Sequence, residues 1–197
     1  HSFQLATEPR GEVLKYTDRF NNDVRHFDVL IPHQRLSVVS VSEVTTPGTY
    51  WVPDLVLAPL DEFDYLSATR FAPINDTLTQ IAAPHLRQDP AATAFALMNA
   101  VFTQFEYAPG STTVHTSALE VLELRRGVCQ DFAHVLIALC RGCGIPARYV
   151  SGYLRSGELG AEASHAWVSV YIPGYGWLDL DPTNDVIPSL GHITLAW

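Results

Sequence analysis

The sequence predicts an α+β fold, and three observations carry that reading. Strand-like segments rich in Val, Tyr, Phe and Thr fill the first fifty residues. Helical periodicity takes over from Asp61, and strand-like segments return after Pro146. Strands, then helices, then strands, with no βαβ alternation, is the order of an α+β domain rather than a doubly wound one. A length of 197 residues suits one domain, or a compact domain with a subdomain, and is enough to bury a core. The expected organisation is a β-rich region over residues 1–50 followed by a core over residues 51–197.

The elements follow in order. Glu12–Phe20, Val24–Ile31 and Leu36–Val44 read as an antiparallel meander. Asn21-Asn22-Asp23 turns between the first two, and Pro32-His33-Gln34 between the second and third. Pro47, Gly48 and Pro53 then break the pattern. Ile74–Leu86 and Pro90–Tyr107 read as helices, the second with Asp89 as N-cap and Pro90 at the first helical position. Phe95, Met98, Phe102 and Phe105 recur at helical spacing and mark its expected buried stripe. Ser117-Ala118-Leu119-Glu120 is a capping box opening a short helix to Arg126. Gly127 ends it, and a further helix runs from Cys129 to Cys143, where Gly144 and Pro146 stop it. Strands are expected at Ala147–Leu154, His165–Ile172 and Trp177–Leu180, with Pro173–Gly176 turning between the last two. Ile193–Trp197 reads as the beginning of another strand.

Composition narrows the function classes. A net charge of −9, from 12 Lys+Arg against 21 Asp+Glu, argues against a phosphate-backbone binder. No apolar stretch spans a bilayer; the uncharged run Ala91–Phe105 is interrupted by Thr93, Asn99, Thr103 and Gln104. Neither nucleic acid nor a membrane is therefore an expected partner. Three cysteines exclude a disulfide-framework fold and suit a reduced, cytoplasmic setting. The chain opens at His1 without a Met or a signal-peptide pattern and stops inside an apolar run, so it reads as a fragment trimmed at the C-terminus.

Cys129 follows a glycine break and opens a helix. There the unpaired N–H groups and the positive end of the helix dipole favour a thiolate, the nucleophile that acyl transfer needs. A buried structural thiol is the competing reading. At about 100° per residue, Cys129, Phe132, Leu136, Cys140 and Cys143 share one side of the helix, and His134 lies about 140° round from Cys129. His134 is thus a poor base and reads as a structural contact. Asp131 reads as supporting, satisfying nearby backbone or a tyrosine. His165 is the better base, because strand alternation puts it on one face with Trp167, Ser169 and Tyr171. The next strand places Trp177, Asp179 and Asp181 together, and a carboxylate there would fix the imidazole tautomer. Alternation does not separate Asp179 from Asp181. Mirroring about the turn pairs His165 with about position 184, so Asp181 requires a bulge, an uneven turn or a diagonal approach.

The lone Cys140-Arg141-Gly142-Cys143 lacks a second pair or a histidine motif, so both thiols read as core rather than zinc ligands. His1, His26, His33, His85, His115 and His192 show no metal-ligand spacing and are assigned no role.

Three ordered blocks carry a family resemblance. They are Arg126-Gly127-Val128-Cys129-Gln130-Asp131-Phe132-Ala133-His134 with Gly144–Tyr153, then His165–Tyr171, then Gly176–Asn184. Together with Tyr107–Ser111 and Thr116–Glu120, they closely resemble the bacterial branch of the transglutaminase-like superfamily, which is related to papain-like cysteine proteases. The dense resemblance covers about Tyr107–Asn184, and the β-rich first fifty residues resemble more loosely the region preceding this core in bacterial members. The resemblance implies a core of antiparallel sheet packed on helices, with Cys129 as nucleophile, His165 as base and Asp181 as orienting acid.

The implied chemistry is acyl transfer at an amide or glutamine carboxamide through a thioester, with no metal and no organic cofactor. The partners are a peptide or protein substrate and an amine acceptor in the transferase case. The Cys129 N–H would help hold the oxyanion, and Tyr107, Gln130, Trp51 and Trp167 are candidates for the second donor. Trp167 and Trp177 are also candidate channel walls, and the loop Arg155–Ser164 a candidate cover for the cleft. With no EF-hand loop or dense acidic cluster for calcium, hydrolysis is favoured modestly over transglutamination. A non-catalytic binding module on the same fold is the alternative.

Overall fold

The computed structural model describes residues 2–46, 56–155 and 164–197. Its contacts group the chain into two compact units, His1–Pro47 with Trp197, and Gly48–Ala196.

Two antiparallel pairs build the first unit: β1 (Ser2–Glu8) with β4 (Ser37–Glu43), and β2 (Glu12–Thr17) with β3 (Asp23–Asp28). The expected hairpin between β2 and β3 is present, but its turn begins at Asp18. The Asp18 carboxylate accepts from the N–H groups of Phe20 and Asn22, both at 2.9 Å, while Asn21 takes the left-handed conformation at φ 65°. A side chain that mimics a backbone turn in this way sets the hairpin locally. The meander does not form. Strand β4 pairs with β1, an element missing from the expected set, rather than with β3. Alternation marks each strand but carries nothing about which distant edge it meets.

The second unit holds five helices among the described residues: α1 (Pro59–Leu66), α2 (Asp76–Ala82), α3 (Pro90–Gln104), α4 (Ala118–Leu124) and α5 (Cys129–Gly142). The helix α1 is a further unexpected element, opened by Pro59 with Asp61 and Glu62 in its first turn. Asn75 caps α2 by accepting from the Leu78 N–H at 3.0 Å, so the helix begins two residues later than Ile74. A 3-10 turn over Ala83–His85 continues it. Asp89 caps α3 as expected, accepting from Ala91 and Ala92 N–H at 3.4 and 2.9 Å. The helix stops at Gln104, because Glu106–Tyr107 instead forms a short strand, β5, parallel to β6 (Arg126–Gly127).

Of the stripe expected on α3, Met98 is buried and Phe95 and Phe105 pack half-buried against the core, and Phe102 is the member corrected. The fully buried face of the helix is Thr93, Ala94, Leu97, Met98, Ala100 and Val101, and Phe102 is 43% exposed. Small and aliphatic residues make up most of the face of α3 that is fully buried, and α3 packs on α5. The Ser117–Glu120 capping box is formed, and Arg125 ends α4 in the left-handed conformation.

Helix α5 is the centre of this unit. The helices α2, α3 and α4 pack on it from one side and the sheet from the other, so Phe132, Ala133, Val135 to Leu139 and Cys140 are all buried. Burial pushes the Cys140 thiol far above its ordinary value, and Cys143 upward as well. The sheet runs β10 (His192–Ala196), β7 (Ala147–Leu154), β8 (His165–Ile172), β9 (Gly176–Leu180), antiparallel throughout. Ala166, Val168, Val170 and Ile172 of β8 join the hydrophobic cluster containing α5, and the intervening His165, Trp167, Ser169 and Tyr171 are buried too. Among the described residues, no helix is long and apolar enough to cross a membrane.

Candidate active site

Cys129 is the first residue of α5 and is 9% exposed. Its place is set by the chain just before it. Asp131, in the first helical turn, reaches back so that its Oδ2 accepts from the Val128 N–H at 2.8 Å, tying down the helix start. The same oxygen accepts from the Thr112 hydroxyl at 2.6 Å. The Val128 N–H is the backbone partner expected of Asp131, and the Thr112 hydroxyl is a further one. Burial raises the Asp131 pKa, opposed by the bonds from Thr112 and Val128. Gly127 is required by this arrangement: a Cβ there would lie 2.7 Å from the Asp131 Cβ and 2.8 Å from its Oδ2. The β5–β6 pairing and the bond from the Ala108 N–H to the Gly127 carbonyl (2.9 Å) hold the preceding backbone.

His165 opens β8, and its Nε2 lies 2.9 Å from the Asp181 Oδ2 with both side chains fully buried. The β8–β9 register pairs Val168 with Leu180 and Ser169 with Asp179. Continued by one residue, it sets Asp181 opposite Trp167, so His165 meets Asp181 diagonally. Asp179 is occupied elsewhere, accepting from the Trp167 indole N–H at 3.2 Å.

Asp181 is anchored on every side. Its Oδ1 accepts from the Thr183 N–H (2.9 Å), and its Oδ2 from the Asn184 side chain (2.8 Å), His165 (2.9 Å) and the Nε2 of His192 (3.0 Å). Burial alone would raise this carboxyl; the bonds from His165, His192 and Asn184 outweigh it and hold Asp181 far below the usual carboxylate range. It is therefore a carboxylate that only accepts, and the proton of the neutral imidazole sits on the His165 Nε2. Burial pulls the His165 pKa down, but the bond to Asp181, then the interaction with the Cys129 thiol, push it up to about 9. The Nδ1 is buried with no hydrogen-bond partner among the described residues, and it is the ring atom that carries the lone pair when the imidazole is neutral.

The remaining expected residues divide. His134 is stacked between Phe71 and Tyr149, with ring centroids 5.1 Å away on each side. Burial, then Arg141, lowers its pKa to about 4, which fits a packing role. Trp167 is fully buried, and its indole N–H donates to Asp179. Trp177 is half-buried and packs edge-on to Tyr65 (5.0 Å) and Tyr171 (5.6 Å) beneath the Arg148 guanidinium. Gln130 donates to the Val114 carbonyl at 3.4 Å beside Cys129. Tyr107 packs edge-on to Phe132 with centroids 6.3 Å apart. Trp51 and residues 156–163 of the expected cover loop lie outside the described residues. His192, without metal-ligand spacing in the sequence, bonds the same Asp181 oxygen as His165. The one local cue it offers is a histidine opening an apolar strand, as His165 does.

The model of the transglutaminase-like superfamily matches residues 79–182, spanning Cys129, His165 and Asp181. An uncharacterised protein of Mycobacterium leprae is 36% identical over 93% of this chain and 70% of its own. The chain belongs to the transglutaminase-like superfamily. Members of this superfamily are generally enzymes. A crystal structure of a "putative cysteine protease" from Cytophaga hutchinsonii superposes with a TM-score of 0.72 at 25% identity, covering 99% of this chain and 69% of that one. The protein-glutamine gamma-glutamyltransferase of Pseudomonas aeruginosa is 34% identical over 47% of this chain and 16% of its own length. The mixed helices and antiparallel sheet are those of this transglutaminase-like family.

Proposed function

We propose that this transglutaminase-like chain carries out cysteine-dependent acyl transfer at the amide or glutamine carboxamide of a peptide or protein. The observation that carries the proposal is the buried relay in which Asp181 accepts from the His165 Nε2, which leaves the Nδ1, without a hydrogen-bond partner among the described residues, as the ring atom for the Cys129 thiol. In the proposed cycle the Nδ1 takes the thiol proton and the sulfur attacks the carbonyl carbon. The oxyanion then lies by the Cys129 N–H at the helix start, with Gln130 and Tyr107 as candidates for the second donor. Imidazolium, stabilised by Asp181, returns its proton to the departing ammonia or amine, leaving a thioester. His165 next deprotonates the acceptor, whose attack expels the thiolate, and the imidazolium reprotonates it. Water as acceptor gives hydrolysis, and a primary amine gives a transferred acyl group. Water is the favoured acceptor, supported by the protease-described neighbour that aligns over nearly the whole chain.

The test uses a blocked glutaminyl peptide, with and without a primary amine, followed by mass spectrometry. Hydrolysis converts the glutamine to glutamate, transfer adds the amine less ammonia, and Cys129→Ala does neither. A product made equally by Cys129→Ala, or no faster iodoacetamide labelling of Cys129 than of Cys140 and Cys143, sinks the proposal.

A further inference from the structure

We infer that His192 is a positioning residue for this site, a second imidazole that holds the Asp181 carboxylate from another strand. The inference rests on the reading of Cys129, His165 and Asp181 just proposed, and it concerns a residue ten positions beyond the segment that the family model matches. His192 opens β10 and is buried, standing edge-on to the Trp167 indole with centroids 5.3 Å apart. That indole lies in space left by Gly152 of β7. A Cβ at Gly152 would collide with the Trp167 ring and with the Ile193 carbonyl.

Two imidazoles and a carboxylate with donor atoms within 4.8 Å of one another also form a candidate metal-ligand set. Hydrogen bonding decides against that reading. A ligating imidazole turns a lone pair to the metal and donates its other N–H outward. The Nδ1 of His192 faces a donor, the Ser189 N–H at 3.4 Å, while the His192 backbone N–H donates to the Ser189 carbonyl at 2.9 Å. The Nδ1 therefore accepts, the ring proton is on Nε2, and it points at the Asp181 Oδ2, 3.0 Å away. As a neutral donor, His192 holds the carboxylate without cancelling the negative charge that His165 draws on. Asn184 and Thr183 hold Asp181 from within its own turn; His192 reaches it from another strand. With the carboxylate plane fixed, the His165 Nε2–H stays bonded and the Nδ1 stays the ring atom left for the thiol.

The experiment combines ring-nitrogen NMR with the rate of Cys129 alkylation by iodoacetamide at pH 7. In the wild-type protein His192 is expected as the Nε2–H tautomer, a readout that needs no substitution. His192→Phe keeps a ring but no donor. It is expected to slow alkylation about tenfold or more, the scale of a lost bond to a charged group, and to give the neutral His165 ring, reached above about pH 9, a mixture of tautomers. His192→Gln keeps a donor and is expected to stay within about threefold of wild type, a rescue that packing alone would not produce. A wild-type Nδ1–H tautomer overturns the inference. So does His192→Phe alkylating at the wild-type rate while His165→Ala is slow. If His165→Ala itself alkylates at the wild-type rate, the base assignment fails and takes the inference with it.

Discussion

Replacing Asp181 by Asn removes one charge from the buried relay at almost constant volume, and the cost is expected to depend on pH in a defined sense. His165 is held at about 9 against an ordinary 6.5. At about 1.4 kcal/mol per pH unit, that gap corresponds to roughly 3 kcal/mol of preference for the imidazolium. A raised histidine pKa contributes stability that is complete below pH 6.5 and is lost as pH rises through 9. Wild type therefore enjoys this contribution at pH 6 and has lost most of it by pH 10.

The amide introduced by Asp181→Asn would also present its own N–H₂ among the donors of Thr183, Asn184, His165 and His192. The resulting mismatch costs about 1–3 kcal/mol at either pH. Urea denaturation of both proteins at pH 6 and pH 10 isolates the charge: the loss in Asp181→Asn is expected to be about 2–3 kcal/mol larger at pH 6. Equal losses at the two pH values would refute the coupling of His165 to Asp181, whatever the size of the loss.

Two further predictions concern the scaffold. Gly127→Ala drives a methyl into Asp131 and its hold on the Val128 N–H, so it is expected to destabilise by about 2–4 kcal/mol, overpacking plus a lost cap, and to slow Cys129 alkylation. The measurement is denaturant unfolding with parallel labelling. His134, held neutral down to about pH 4, contributes stability present above pH 6.5 that is lost as pH falls from 6.5 through 4. His134→Phe is expected to flatten the unfolding free energy across that window while leaving Cys129 alkylation at neutral pH within about twofold; an unchanged acid slope would contradict the buried-neutral assignment.

Much of the scaffold was legible because its determinants are local. Asp89 before Pro90, Ser117 with Glu120, and Gly144 after α5 each act within a few residues, and each does so in the structure. The core strands β7 to β9 alternate as expected, with the turn where Pro173–Gly176 places it. Cys129 at a helix start, with His165 opening a strand, was equally legible. The failures share a different cause. The partner of β4, the buried face of α3 and the threonine bonded to Asp131 all depend on surfaces brought from elsewhere in the chain. Aromatic spacing on α3 pointed to Phe102, yet most of the fully buried face there is small and aliphatic.

Sequence alone determined the α+β class, the helix that presents Cys129, and the strand face shared by His165 with either of two aspartates. The family resemblance already implied Asp181, and the tertiary structure shows how it reaches His165. Asp179 turns to the Trp167 indole, while the Asp-Pro-Thr-Asn turn carries Asp181 diagonally to His165. Tertiary structure alone also brought His192 to the same oxygen across eleven residues of chain. The physical reason is range. Caps, turns and alternation are written in φ, ψ and neighbours a few positions apart. A buried carboxylate with four donors is satisfied by whichever groups the packed sheet delivers to it.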